Sequence, residues 1–170
     1  MSLVIRQAQP SDALNLAALS VQIWLHTYAR AGMRDVLARY VLTQFTPARL
    51  AEDIADETRH LLVAAFDGCL VGYAAVRFES ACPVRRLVRP EVERLYVQAH
   101  FAGRGIGGSL LERVFDLLRQ RNEKELWLSV NGENEAARRF YRGKLFRKIG
   151  TADFELESER HANDVLVRAF

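Results

Sequence analysis

The chain has 170 residues, 49% of them hydrophobic and 26% charged, which suits one domain with a core of its own. A net charge of +3 does not by itself mark a nucleic-acid surface, and two cysteines, Cys69 and Cys82, make no disulfide framework. No apolar run approaches the ~20 residues that a membrane-spanning helix needs, and residues Met1 to Pro10 lack the apolar stretch of a secretory signal, so the expectation is a soluble cytoplasmic protein.

Leu3 to Ala8 reads as a short strand. Pro10-Ser11-Asp12 then opens a helix for which Ser11 or Asp12 would be the cap. Ala13, Leu16, Ala17, Ser20, Ile23, Trp24 and Thr27 share one face of that helix, out to Tyr28, and Gly32 breaks the run. Met33 to Gln44 is a second helix. Thr46-Pro47 starts a third, with Thr46 as cap and Pro47 in the first turn, running to Glu57. Leu61 to Phe66 and Leu70 to Phe78 are strands joined by the turn Asp67-Gly68, which makes them antiparallel neighbours. Ser80 to Pro90 reads as a loop with Arg85, Arg86 and Arg89, either a basic substrate-side loop or a plain solvated one.

Leu95-Tyr96-Val97 reads as a buried strand. Gly103-Arg104-Gly105-Ile106-Gly107-Gly108 follows, and then Leu110, Leu111, Val114, Phe115, Leu117 and Leu118 recur at helical spacing to about Asn122. Glu125 to Val130 is a strand, Asn131 to Asn134 a turn, and Glu135 to Tyr141 a short helix. Phe146 to Leu156 and Val165 to Phe170 are strands joined by a polar segment, Glu157 to Asp164. The order predicts a single domain over residues 1–170 with one mixed α/β sheet and a parallel crossover around the glycine loop.

Four of the chain's 10 glycines fall within six residues of that loop. Strand, glycine loop and helix together leave unpaired amides at a helix N-terminus, a ready site for phosphate. The spacing Gly103-x-Gly105-x-x-Gly108 matches a dinucleotide fingerprint, but the next strand ends Ser129-Val130-Asn131 without the acid that would hold a ribose. A Walker A loop needs a lysine that is missing here. The remaining reading is a pyrophosphate in another fold.

Arg104-Gly105-Ile106-Gly107, preceded by Leu95-Tyr96-Val97, resembles the acetyl-CoA-binding motif of the GNAT superfamily of N-acetyltransferases. Asn134-Glu135-Ala136-Ala137-Arg138-Arg139-Phe140-Tyr141 is similar to a second family element, and Phe146 matches in the following strand. Trp24-Leu25-His26-Thr27-Tyr28 and Glu93-Arg94-Leu95-Tyr96-Val97 are similar to the polyamine-acetylating PaiA-like group within it. Two departures stand out. Ala102 replaces the usual Gln or Arg, which removes one side-chain contact to the pyrophosphate. Lys144-Leu145-Phe146 replaces Leu-Gly-Phe, leaving Gly143 to take over the turn.

The resemblance implies an α/β fold of α+β type, a mixed, mostly antiparallel sheet whose central parallel strands splay apart between flanking helices, with a bulge near Tyr96 or Val97. It implies acetyl-CoA as co-substrate and no metal. Gly103, Arg104, Gly105, Ile106, Gly107 and Gly108 would grip the pyrophosphate through backbone amides, and Leu95, Tyr96 and Val97 would pair with the pantetheine arm. Asn134 would bond that arm, cap the short helix, or do both. An alkyl ammonium, with a pKa of ~10.4, must lose a proton before it attacks. Glu93 is the expected base, Glu91 projects to the same face, and either would otherwise be a surface carboxylate. Tyr141 is the expected acid for the leaving thiolate, or else a core tyrosine. Trp24 and Tyr28 would form an acceptor wall, with His26 a possible second base. The implied activity is direct acetyl transfer to a primary amine, small or peptidic, in a ternary complex. The alternative is an acyl-CoA-binding sensor or partner module without catalysis. No nucleic acid or membrane partner is expected, and a homodimer is consistent with the family.

Overall fold

In the computed structural model, which describes residues 2–170, these periodicities become seven strands and five α-helices. They are β1 (Leu3–Gln7), α1 (Ala13–Tyr28), α2 (Asp35–Gln44), α3 (Pro47–Ala55), β2 (Arg59–Phe66), β3 (Cys69–Ala81), β4 (Val88–Val97), α4 (Ile106–Gln120), β5 (Glu125–Asn131), α5 (Glu135–Gly143), β6 (Arg147–Leu156) and β7 (Glu159–Ala169). The strand order is β1-β2-β3-β4-β5-β7-β6, with β4 and β5 parallel. The chain divides into two compact units. One holds the residues up to Val76 with Arg94–Asp116, the other Arg77–Glu93 with Leu117–Phe170.

In the first unit, Asp67 and Gly68 take φ of 48° and 84°, the left-handed pair of a two-residue hairpin turn between β2 and β3. β1 lies antiparallel to β2, with Leu3 opposite Phe66 and Gln7 opposite Leu62. Leu16, Ala17 and Leu19 of α1 pack with Leu50 of α3, Leu61 and Val63 of β2, and Tyr73 and Ala75 of β3. Each fully buried leucine there contributes roughly 1.5–3 kcal/mol. Thr46 caps α3, its hydroxyl accepting from Arg49 N at 3.2 Å. Asp12 stands at the N-cap of α1, as expected, but its side chain makes no capping bond to the helix. Residues Pro10–Asp12 form a 3-10 turn, and Asp12 instead accepts from Gln9 N and from both terminal nitrogens of Arg6, at 2.7 and 2.9 Å. A two-pronged bond to a guanidinium outweighs a single amide.

In the second unit, β5 runs antiparallel to β7 from Glu125 opposite Ala169 to Asn131 opposite Asn163, and β6 and β7 form a long hairpin. The polar segment 157–164 is therefore mostly strand. β7 begins at Glu159, its first residues alternate between partly and fully exposed, and only Glu157 and Ser158 turn the chain. The supposed loop from Ser80 to Pro90 also shrinks. β3 continues to Ala81 and β4 starts at Val88, so Arg89 is a strand residue, and Arg85 donates to Glu125 at 2.6 Å. Proline forfeits one ladder donor, yet Pro90 sits early in β4 and is buried there. Trp127, Val165, Val167 and Cys82 form the core beside it. Among the described residues no helix is long and apolar enough to cross a membrane.

Candidate active site

The glycine loop follows β4 through a short 3-10 turn, Ala99–Phe101. Gly103 and Gly105 take φ of 76° and 80°, a left-handed backbone that side-chain-bearing residues avoid. A Cβ at either would meet nothing within 4 Å, so it is conformation and not crowding that calls for glycine. Ser109 N closes the first helical bond of α4, to Gly105 O at 2.9 Å. The amides of Ile106, Gly107 and Gly108 precede that bond and have no intrahelical carbonyl to reach. They crown the positive end of a 15-residue helix whose buried Ile106, Leu110, Leu111, Val114 and Phe115 anchor it. That donor set fits a pyrophosphate. Arg104 lies over the Phe101 ring at 5.0 Å and the Phe66 ring at 5.9 Å.

Leu95, Tyr96 and Val97 are half-buried, not sealed as their apolar run suggested; the buried residues of β4 are Pro90 and Val92. β3 comes close on this strand. A Cβ on Gly72 would lie 2.6 Å from Tyr96 O, and Gln98 N donates to Val71 O at 2.9 Å. Beside the strand end is a cleft of about 540 Å³, lined by Ile23, His26, Thr27, Val97, His100 and Ala102, with Gln98 donating to Gln22 at 2.9 Å on its rim. Neither His100 nor the Gln22–Gln98 bridge carried any signal in the sequence, since the pairs lie far apart along the chain.

Trp24 and Tyr28 join an aromatic chain that reaches the same strand. Trp24 is buried, with Tyr28 at 4.5 Å and Tyr40 at 4.6 Å between ring centres. Tyr40 meets Phe45, Phe45 meets Tyr96, and Tyr96 meets Tyr73. A cation already lies by this chain: the Arg94 guanidinium is 5.8 Å from the Phe45 ring.

In the second unit, Ser80 Oγ donates to Glu91 Oε2 at 2.5 Å, and Glu91 is the residue of β4 opposite Trp127. Glu93 Oε1 lies 3.8 Å from Arg77 Nε, with 18% of its side chain exposed. Asn134 caps α5, its side-chain oxygen accepting from Ala137 N at 3.1 Å. Tyr141 is buried between Phe140 and Phe146, and burial pushes its hydroxyl well above the ordinary range, so it carries its proton across neutral pH. Gly143 does not take over the turn after α5; Leu145, at the family's glycine position, adopts φ 64° itself. Among the described residues no three His, Cys, Asp or Glu side chains gather as a metal site.

The family model of the acetyltransferase (GNAT) family matches residues 24–145. An uncharacterized N-acetyltransferase of Mycobacterium bovis is 30% identical over 158 residues, covering 93% of this chain and 97% of that one. The chain therefore belongs to the GNAT acetyltransferase family. Its fold is shared with the PaiA N-acetyltransferase from Thermoplasma acidophilum, a crystal structure in complex with coenzyme A (TM-score 0.79, 18% identity, 100% of both chains). It is shared too with yncA of Salmonella typhimurium, a structure with acetyl-CoA (TM-score 0.70, 20% identity, 99% of this chain and 94% of that one).

Proposed function

We propose that the protein transfers an acetyl group from acetyl-CoA to a primary amine, directly and in a ternary complex. The observation that carries this reading is the open loop at Gly103 and Gly105, with the amides of Ile106 to Gly108 at the start of α4. Acetyl-CoA, when bound, supplies the activated thioester carbonyl. The loop amides hold its pyrophosphate, and the strand edge at Leu95, Tyr96 and Val97 pairs with its peptide-like arm. Glu93 takes the proton of the acceptor ammonium, and Glu91 is the reserve on the same face. The neutral nitrogen attacks the carbonyl, a C–N bond forms and the C–S bond breaks. Tyr141 gives its proton to the departing sulfur, and the second proton shed by the acylated nitrogen restores the phenol.

The acceptor class remains within primary amines, small or peptidic. Of the basic residues between Ser80 and Pro90, which would repel a polycationic acceptor, Arg85 is paired with Glu125 and so repels it less. A thiol-release assay against polyamines, amino acids and peptides is the direct test. The expected result is release with at least one amine, lowered 100-fold or more in Glu93→Gln and in Tyr141→Phe while coenzyme A still binds. Coenzyme A binding with no release from any amine would favour the sensor module. A thermal shift with NAD and none with acetyl-CoA would sink the reading.

A further inference from the structure

Between Glu93 and Leu95 stands a side chain that the chemistry above does not use. Strand alternation sends Arg94 to the face opposite its two neighbours. There only 21% of it is exposed, and its Nη1 donates to Asp53 Oδ2 of α3 at 2.7 Å. The other Asp53 oxygen lies 3.4 Å from Arg59 Nη1, which also holds Asp56 at 2.6 Å. The guanidinium flanks the Phe45 ring and its charge acts on the fully buried Tyr73. The Tyr73 hydroxyl in turn shares a 2.7 Å bond with Ser20 of α1.

A largely buried ion pair is a poor way to hold a fold together, since apolar residues of similar volume do so as well or better. What it adds is direction. Charge-assisted bonds have narrow length and angle tolerances, so sliding β4 along its axis would break the bond to Asp53, whereas leucine contacts would adapt. The strand's two neighbouring features are the ones for which such a slide matters, because an error of about 1 Å at reacting groups can cost roughly 100-fold in rate. We propose that Arg94 is a positioning residue: paired with Asp53, it fixes the axial setting of β4, and so the Leu95–Val97 edge that receives a coenzyme A thioester and the adjoining Glu93. This rests on the reading of that strand given under the proposed function.

The test compares wild type with Arg94→Met, Arg94→Lys and Asp53→Asn by melting temperature, calorimetric affinity for coenzyme A, and KM and kcat with the best amine of the panel. Arg94→Met leaves Asp53 to Arg59 alone and is expected to melt below wild type, and at temperatures where it is fully folded to bind coenzyme A about tenfold more weakly, with kcat also down. Arg94→Lys, which keeps the charge, should recover part of that affinity, and Asp53→Asn should lose it. Wild-type affinity and kcat in Arg94→Met would overturn the proposal while leaving the proposed function intact. Should Arg94→Met not fold, unchanged affinity in Arg94→Lys and Asp53→Asn would overturn it equally. A loss of affinity that only follows a fall in melting temperature, without rescue by lysine, would mark a merely structural role and overturn it too. A wild type that does not bind coenzyme A would overturn this proposal and the proposed function together.

Discussion

Leu145 carries a left-handed backbone, φ 64°, with its side chain 75% exposed. A side-chain-bearing residue pays roughly 1–2 kcal/mol for that conformation, against about 0.4–1 kcal/mol of extra freedom that glycine brings to the unfolded chain. Leu145→Gly should therefore raise the melting temperature or leave it level, and a clear fall would refute the strain. Asp164 makes a pH prediction. Burial alone would push its carboxyl up, but Lys148 at 2.6 Å and Arg138 at 2.9 Å outweigh that and hold it below the ordinary range. A carboxyl depressed in the folded state lends stability that is complete above its unfolded value, ~3.9, and is lost as pH falls through the folded one. Asp164→Asn should cost about 1–3 kcal/mol at pH 7 in urea titrations, and the gap to wild type should close below about pH 4. Sequence exposed the identity of such residues but not their partners: nothing local links Asp164 to Lys148 and Arg138, or Arg94 to Asp53.

Elements were most legible where their signals are local. The α3 start was readable because Thr46 and Pro47 act within one turn, and the β2–β3 turn because Asp67-Gly68 suits a left-handed pair. Strand limits were least legible around Pro90 and in 157–164, where pairing with a neighbour strand overrides residue preference. Gly72 shows how an element constrains the site. A methyl there would press on Tyr96 O at 2.6 Å, so Gly72→Ala should destabilise by about 1–3 kcal/mol and also weaken coenzyme A binding through the displaced β4. Normal affinity in a folded Gly72→Ala protein would contradict the role given to Leu95–Val97. Asn134→Ala should lose about 1 kcal/mol as a broken cap, seen in thermal melts. A raised KM for acetyl-CoA in the same variant would add the pantetheine contact to the cap.

For the whole molecule, β3, β4 and α4 each run through both compact units, so their unfolding should be one cooperative transition, as a single domain over residues 1–170 requires. A biphasic urea curve would argue for two domains. Acetyl-CoA at 100 times its dissociation constant should add about 2.7 kcal/mol to that stability. By itself the sequence determined the order of elements, the glycine loop and the family, because each depends on periodicity or on motifs a few residues long. It also supplied every residue given a chemical role, Glu93 and Tyr141 included. Only the tertiary structure decided which charges are already engaged: Arg85 with Glu125, Arg77 beside Glu93, Arg94 with Asp53. It alone decided that Trp24 is packed between two tyrosines and that Leu145, not Gly143, bears the left-handed turn. The reason is physical: charge pairing and burial act through space, between residues that the chain keeps far apart until it folds.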